Sequence, residues 1–229
     1  FVLGGAMPQD TLSLPPCPEF GTNYFTVRRE LGIVNLGEAG HVIVGPQTYS
    51  LGTYDFLYVG AGNECVQFAP CKSSTPQFYF LSCPAHRVFP VQRIGPDDAQ
   101  SEWIGDAGHA CRRRLSKYIH PGGAASCQLV MGRTQLDSGS VWNTMPPHVH
   151  SSRSEVYLYT DLDDGIVVHL MGEAERTRHL VVRDGQAVLS PSWSLHCGAG
   201  TRPYSFVWGM AGDNQAFSDI DPVELHQLR

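Results

Sequence analysis

The stretch Met145-Pro-Pro-His-Val-His-Ser-Ser-Arg-Ser-Glu155 decides the reading of this chain. It holds His148 and His150, two residues apart, and then a carboxylate at Glu155. Side chains two apart on a β-strand share a face, so both imidazoles can aim at one point. Glu155 lies at odd spacing from both, so the segment Ser151-Ser-Arg-Ser154 must bend to join them. Three such groups make a nitrogen/oxygen metal site that lacks one ligand. A fourth candidate, His196, ends the stretch Ser190-Pro-Ser-Trp-Ser-Leu-His196. The remainder of the chain reads as scaffold around these residues.

The 229 residues are enough for one large domain or two small ones with a real core. Apolar residues make up 42% and charged residues 17%, the balance of a soluble globular protein. The 24 glycines and 16 prolines, set among many Val, Ile, Tyr and Phe, favour an all-β chain with frequent turns. Net charge is −6, and the longest basic cluster, Arg112-Arg-Arg114, stands alone, so nucleic-acid binding has little support. No run of about 18 apolar residues predicts a membrane span, and no signal peptide is visible. The seven cysteines are odd in number and lack C-x-x-C spacing. That pattern predicts a reducing, cytoplasmic setting with mostly buried thiols. The chain opens on Phe1 in what looks like mid-strand, so a further N-terminal segment is expected before it.

From Tyr24 onward, short apolar runs alternate with turn residues. Strands are expected at 28–36, 41–44, 48–51, 54–59, 66–68, 77–81 and 88–89, a spacing that indicates a sandwich or barrel. The polar stretch from Gly95 to Gly108 reads as a connection between two halves. Beyond it, strands are expected at 114–119, 126–131, 155–159, 166–170, 179–182, 186–189 and 204–208. Pro222 to Leu228 is the best helix candidate, with proline in its first turn. The halves also share a pattern. Gly185 precedes Pro191, Trp193 and His196, and Gly52 precedes Tyr58, Gly60 and Asn63, with eleven residues from first to last position in both. A duplication fits this, with a metal-ligand type in the second copy and a poor one in the first.

The patterns H-x-H-x4-E and G-x5-P-x4-H match the two signature motifs of the cupin superfamily of small β-barrels. Trp193 stands where that motif usually has glycine. The resemblance extends further. Trp142-Asn-Thr-Met-Pro-x-His-x-His, Glu155-Val-Tyr-x-Tyr159, Thr177-Arg-His179, the Ser190-to-His196 stretch and Trp208-Gly-Met210 together resemble the 5-keto-4-deoxyuronate isomerase family, also called 4-deoxy-L-threo-5-hexosulose-uronate ketol-isomerases. Arg28-Arg-Glu-Leu-Gly-Ile-x-Asn35 and Asp55-x-Leu-Tyr-Val-Gly60 extend it across the first half. The family often has two adjacent arginines before the glutamate, and this chain keeps only Arg153.

The resemblance implies two cupin-type barrels in tandem. The first, over 1–95, is degenerate and lacks metal ligands; the second, over 96–229, binds metal and ends in a short C-terminal helix. It implies one zinc per chain on His148, His150, Glu155 and His196, a hexamer, and an aldose–ketose isomerisation of a small uronate in pectin breakdown. That reaction needs a base, and donors or a cation for the enediolate oxygens. Candidates for catalysis are Lys117, Tyr157 and His179. Candidates for holding the substrate are Arg153 and Arg178 by charge, with Trp142, Met145 and Trp193 as pocket walls. For each, surface charge or core packing is the plain alternative. Four protein ligands would also suit a closed structural site. Other readings are the 5-deoxy-glucuronate isomerase of inositol breakdown, a metal-dependent dioxygenase and a silent sugar-binding cupin.

Overall fold

A computed structural model describes all residues, 1–229. The chain divides into two compact units, residues 1–99 with 118–129, and residues 100–117 with 130–229. The sequence reading placed a single boundary after residue 95; the units instead interleave around 118–129.

The first unit holds β1 (Val2–Ala6), β2 (Leu12–Ser13), β3 (Arg29–Asn35), β4 (Gly40–Val44), β5 (Gln47–Leu51), β6 (Phe56–Val59), β7 (Val66–Pro70), β8 (Phe78–Pro84) and β9 (Gln92–Ile94). They form two antiparallel sheets, β1-β8-β3-β6-β9 and β2-β7-β4-β5. Leu31, Ile33, Val42, Leu57, Phe68 and Phe80 fill the space between them. Each such side chain contributes about 1.5–3 kcal/mol by leaving water.

The second unit holds β10 (Gln100–Ile104), β11 (Arg113–Ile119, whose last two residues count with the first unit), β12 (Val130–Leu136), β13 (His148–Val149), β14 (Arg153–Thr160), β15 (Val167–Glu173), β16 (Arg176–Val182), β17 (Ala187–Ser190), β18 (Leu195–Gly200), β19 (Ser205–Gly212) and β20 (Asp221–Pro222). Its sheets run β10-β11-β12-β19-β14-β17 and β16-β15-β18-β13-β20. The core gathers Tyr157, Tyr159, Val167, Phe206, Trp208 and Met210. Gly132 is required here, because a Cβ would run into the Trp208 indole. Gly185 turns the chain into β17 at φ +72°, a conformation that glycine adopts without steric cost.

The fold is all-β, as the turn-punctuated sequence implies, with local departures. The expected connection after Gly95 contains β10, an edge strand whose exposed residues hide its pairing with β11. Residues 88–89 form no strand. Residues 126–129 are also outside the ladder, because the N–H groups of Cys127, Gln128 and Leu129 donate to the Glu30 carboxylate. The tail helix is reduced to one 3-10 turn at Leu225–Gln227, since Pro222 lies in β20 against β13. Cys83, Cys111 and Cys197 are buried, but Cys65 is exposed and Cys17, Cys71 and Cys127 are half-buried. No helix is long and apolar enough to cross a membrane.

Candidate metal centre

Three strands and one bend converge on the site. His148 in β13 pairs across the sheet with His196 in β18. Glu155 stands in β14 between Ser190 of β17 and Met210 of β19. His150 follows β13, and the chain bends at Ser151 and Ser152 before β14 begins. That bend is held from the tail, with Ser151 donating to Asp221 and Ser152 to Asp219.

The ligand-type atoms of His148, His150, Glu155 and His196 all lie within 4.8 Å of one another. His150 Nε2 and His196 Nε2 stand 3.1 and 3.0 Å from the same oxygen, Glu155 Oε2. The other ring nitrogens face protein acceptors. His150 Nδ1 is 2.9 Å from the Asp219 carbonyl, His148 Nδ1 is 3.4 Å from the Pro146 carbonyl, and His196 Nδ1 is 3.3 Å from Ser190 Oγ. A proton held on Nδ1 leaves the Nε2 lone pair pointing inward, the tautomer a metal ligand needs.

The donor set fits a divalent cation. His196 Nε2 is buried and has no aligned hydrogen-bond partner, although Glu155 is close. Buried polar atoms are normally satisfied, so this convergence calls for a group between them. Burial raises the Glu155 carboxyl, but the charges of His196 and His150 and their hydrogen bonds outweigh it and hold it below the usual carboxylate range. Burial, with His196 next, pulls His148 down to about 3. A neutral imidazole and an ionised carboxylate are the forms that bind metal. Three histidines and a glutamate suit zinc, iron or manganese on chemistry alone.

The cluster opens into a cavity of about 230 Å³. His148, His150 and Glu155 form one wall, with Tyr157, Thr144 and Arg113 among the polar groups on the others. Phe206, Trp208 and Met210 supply apolar surface, and Phe217, Ser218 and Ile220 come from the tail. Burial, and then the charge of Glu155, raises the Tyr157 hydroxyl well above its ordinary value, so it stays protonated. Its oxygen lies 3.1 Å from Thr144 Oγ1.

The structure sorts the other expectations. Met145 and Tyr157 line the cavity. Arg153 does not reach it: the side chain is buried and donates to the carbonyls of Ala216 and Asp219 at 2.6 and 2.9 Å. It therefore clamps the tail. Arg178 and His179 are exposed on β16, an edge strand separated from β18 by β15, and neither lines the cavity. Trp193 is 60% exposed and Trp142 bridges to Ala199, both outside the lining. Lys117 pairs with Glu102 at 3.1 Å and sits 4.5 Å over the Phe217 ring, outside the cavity wall. Sequence reasoning missed Arg113, Asn143, Thr144 and the tail. Asn143 and Thr144 stand inside a quoted motif, but only long-range packing shows the roles of Arg113 and the tail.

Fold and site together define a β-sandwich protein of cupin type with a cluster of three histidines and a glutamate that could hold a metal ion. The chain belongs to the KduI/IolB family, whose model matches residues 5–227. It is 49% identical to a 4-deoxy-L-threo-5-hexosulose-uronate ketol-isomerase of Opitutus terrae and 48% identical to one of Bacillus subtilis, each match covering 100% of this chain and 84% of the relative. Among solved structures, an IolB-like protein of Salmonella typhimurium LT2 aligns with TM-score 0.78 at 14% identity, covering 98% of this chain and 87% of that one. Oxalate decarboxylase of Lactobacillus farciminis aligns at 0.64 with 10% identity, covering 96% and 79%. At those identities the structural likeness shows the fold alone.

Proposed function

We propose that this chain is a 4-deoxy-L-threo-5-hexosulose-uronate ketol-isomerase. It interconverts 5-dehydro-4-deoxy-D-glucuronate and 3-deoxy-D-glycero-2,5-hexodiulosonate. The observation that carries this reading is 45–49% identity across the whole chain to proteins of that name. Retention of four convergent ligands supports it and argues against a silent binding protein.

The reaction is redox-neutral. A proton leaves C2 of the aldose and one arrives at C1, while the hydroxyl proton moves from O2 to O1. The enediolate between them needs stabilisation at both oxygens. His148, His150, Glu155 and His196 would hold zinc, which supplies Lewis-acid polarisation of the substrate oxygens when bound. Tyr157 stays protonated and lines the same cavity, so it donates a hydrogen bond, or its proton, to a substrate oxygen. The apolar wall around Trp208 excludes water from that exchange. A hexameric assembly and a cytoplasmic location belong to the same proposal and rest on family resemblance.

A proton NMR time course of the purified protein with 5-dehydro-4-deoxy-D-glucuronate tests it. Signals of the diketo product should grow at a rate proportional to enzyme. Absence of product from a protein carrying metal would overturn the assignment.

A further inference from the structure

The basic cluster Arg112-Arg-Arg114 has no role in the metal centre, and the strand splits it. Alternation along β11 turns Arg113 and Leu115 inward and leaves Arg114 exposed. Arg112 stays near the surface, stacked over Trp103 and 3.5 Å from Asp137. Arg113 is 7% exposed and lines the cavity that the metal cluster opens into.

Its partners leave it incomplete. Nη1 donates to the Cys111 carbonyl at 2.8 Å and Nη2 reaches the Met145 carbonyl at 3.4 Å. A guanidinium carries five N–H donors in a planar fork. No carboxylate lies within 4.0 Å of Arg113, whereas Arg93, Arg112, Arg133 and Arg202 each have one. Burying a cation without an anion is costly, and a fold keeps such a group where a ligand completes it. The two carbonyls fix the plane of the fork, and fork geometry suits a carboxylate in a two-pronged contact. The metal ligands stand on the same cavity, so one small molecule can meet both.

We propose that Arg113 binds the carboxylate of the substrate and sets the preference for a uronate over a neutral sugar. This rests on the isomerase reading and adds to it the residue that reads the acid end of the molecule. The reacting carbons lie at the opposite end of the six-carbon chain from the carboxylate. Arg113 therefore positions the substrate with its aldehyde end toward the metal centre and takes no part in the proton transfer. Lys117 is the rival cation, but Glu102 already neutralises it and it lies outside the cavity wall.

The test compares 5-dehydro-4-deoxy-D-glucuronate with its analogue bearing a primary alcohol in place of the carboxylate. Wild-type protein, Arg113→Met, Arg113→Lys and Lys117→Met are each assayed, with metal content measured beside kcat and KM. Arg113→Met should lose about 100-fold or more in kcat/KM for the uronate, chiefly through KM, and little for the alcohol. Arg113→Lys should recover part of the loss. Lys117→Met should keep the preference for the acid. An Arg113→Met protein with wild-type metal content and undiminished preference would overturn the proposal, as would a preference lost in Lys117→Met instead.

If Arg113→Met does not fold, the wild-type protein still decides. Calorimetry should show D-glucuronate binding at least 10-fold tighter than D-glucose, and equal affinities would contradict the role. If wild-type protein turns over neither substrate, the isomerase reading fails, while that binding comparison, repeated with Arg113→Lys and Lys117→Met, separately decides whether Arg113 reads a carboxylate.

Discussion

At Tyr157, burial and the neighbouring Glu155 charge act in the same direction, and the hydroxyl keeps its proton. Replacing Tyr157 by Phe removes one oxygen and leaves the ring in place. The variant should keep its metal and lose about 10- to 100-fold in kcat. Metal analysis beside steady-state kinetics checks this; an unchanged kcat would make Tyr157 a packing residue only. His169 shows a second residue-scale effect. Asn143 Oδ1 accepts the Gly198 N–H, so Asn143 Nδ2 donates to the Tyr159 hydroxyl, which in turn donates to His169 Nδ1 at 2.7 Å. The neutral ring then carries its proton on Nε2, which is buried without a partner. Burial, with His196 next, pulls His169 down to about 3. Below about pH 6.5 the unfolded chain takes up a proton that the folded chain refuses, so acid favours unfolding. The contribution is fully present above pH 6.5 and is lost as pH falls towards 3, by ~1.4 kcal/mol per pH unit within that window. Urea midpoints of the metal-free protein should fall between pH 6.5 and 4, less steeply in His169→Gln. Identical slopes would contradict this.

At the scale of elements, the site is a bend between β13 and β14 closed by the tail. Arg153 ties the two by donating to Ala216 and Asp219, and the Asp219 carbonyl also faces His150 Nδ1. Arg153→Leu should cost about 1.5–3 kcal/mol, because it removes two charge-assisted hydrogen bonds from the buried guanidinium to the tail carbonyls of Ala216 and Asp219. It should also weaken metal binding by releasing His150, which a chelator competition would detect. Wild-type metal affinity would show that the tail does not orient the ligand. The ligand strands were legible in the sequence because spacing alone carries them: His148 and His150 sit two apart, and His196 ends a glycine-led turn. The tail was not. Pro222 reads as a helix start locally, but pairing with β13 overrides that preference. Arg153 reads as a free charge, and only the contacts made 63 and 66 residues away show it to be a clamp. Arg113 was hidden for the converse reason, since a run of three arginines gives no sign of which one turns inward.

At the scale of the whole molecule, each unit has its own core, and the ligands all belong to the second. In the first unit Glu30 takes over the role of a strand partner. Its carboxylate accepts from three successive backbone N–H groups at 2.7 Å and from the Tyr58 hydroxyl at 2.6 Å. Strand propensity at 126–131 was read correctly from Val130 onward, but no local pattern reveals a carboxylate supplied from 97 to 99 residues away. Glu30→Ala should destabilise the protein by about 3 kcal/mol or more, because it leaves three backbone N–H groups and the Tyr58 hydroxyl without their acceptor. Urea unfolding measures that loss, and a change below ~1 kcal/mol would show that water replaces the carboxylate without cost.

The central claim is that isomerisation takes place at the centre formed by His148, His150, Glu155 and His196. Turnover of 5-dehydro-4-deoxy-D-glucuronate, followed while zinc is titrated into metal-free protein, tests it most directly, with His196→Ala run in parallel. Activity should rise in proportion to bound metal, level off at about one equivalent per chain, and stay absent in His196→Ala. Full turnover by the metal-free protein, or by His196→Ala, would contradict the claim.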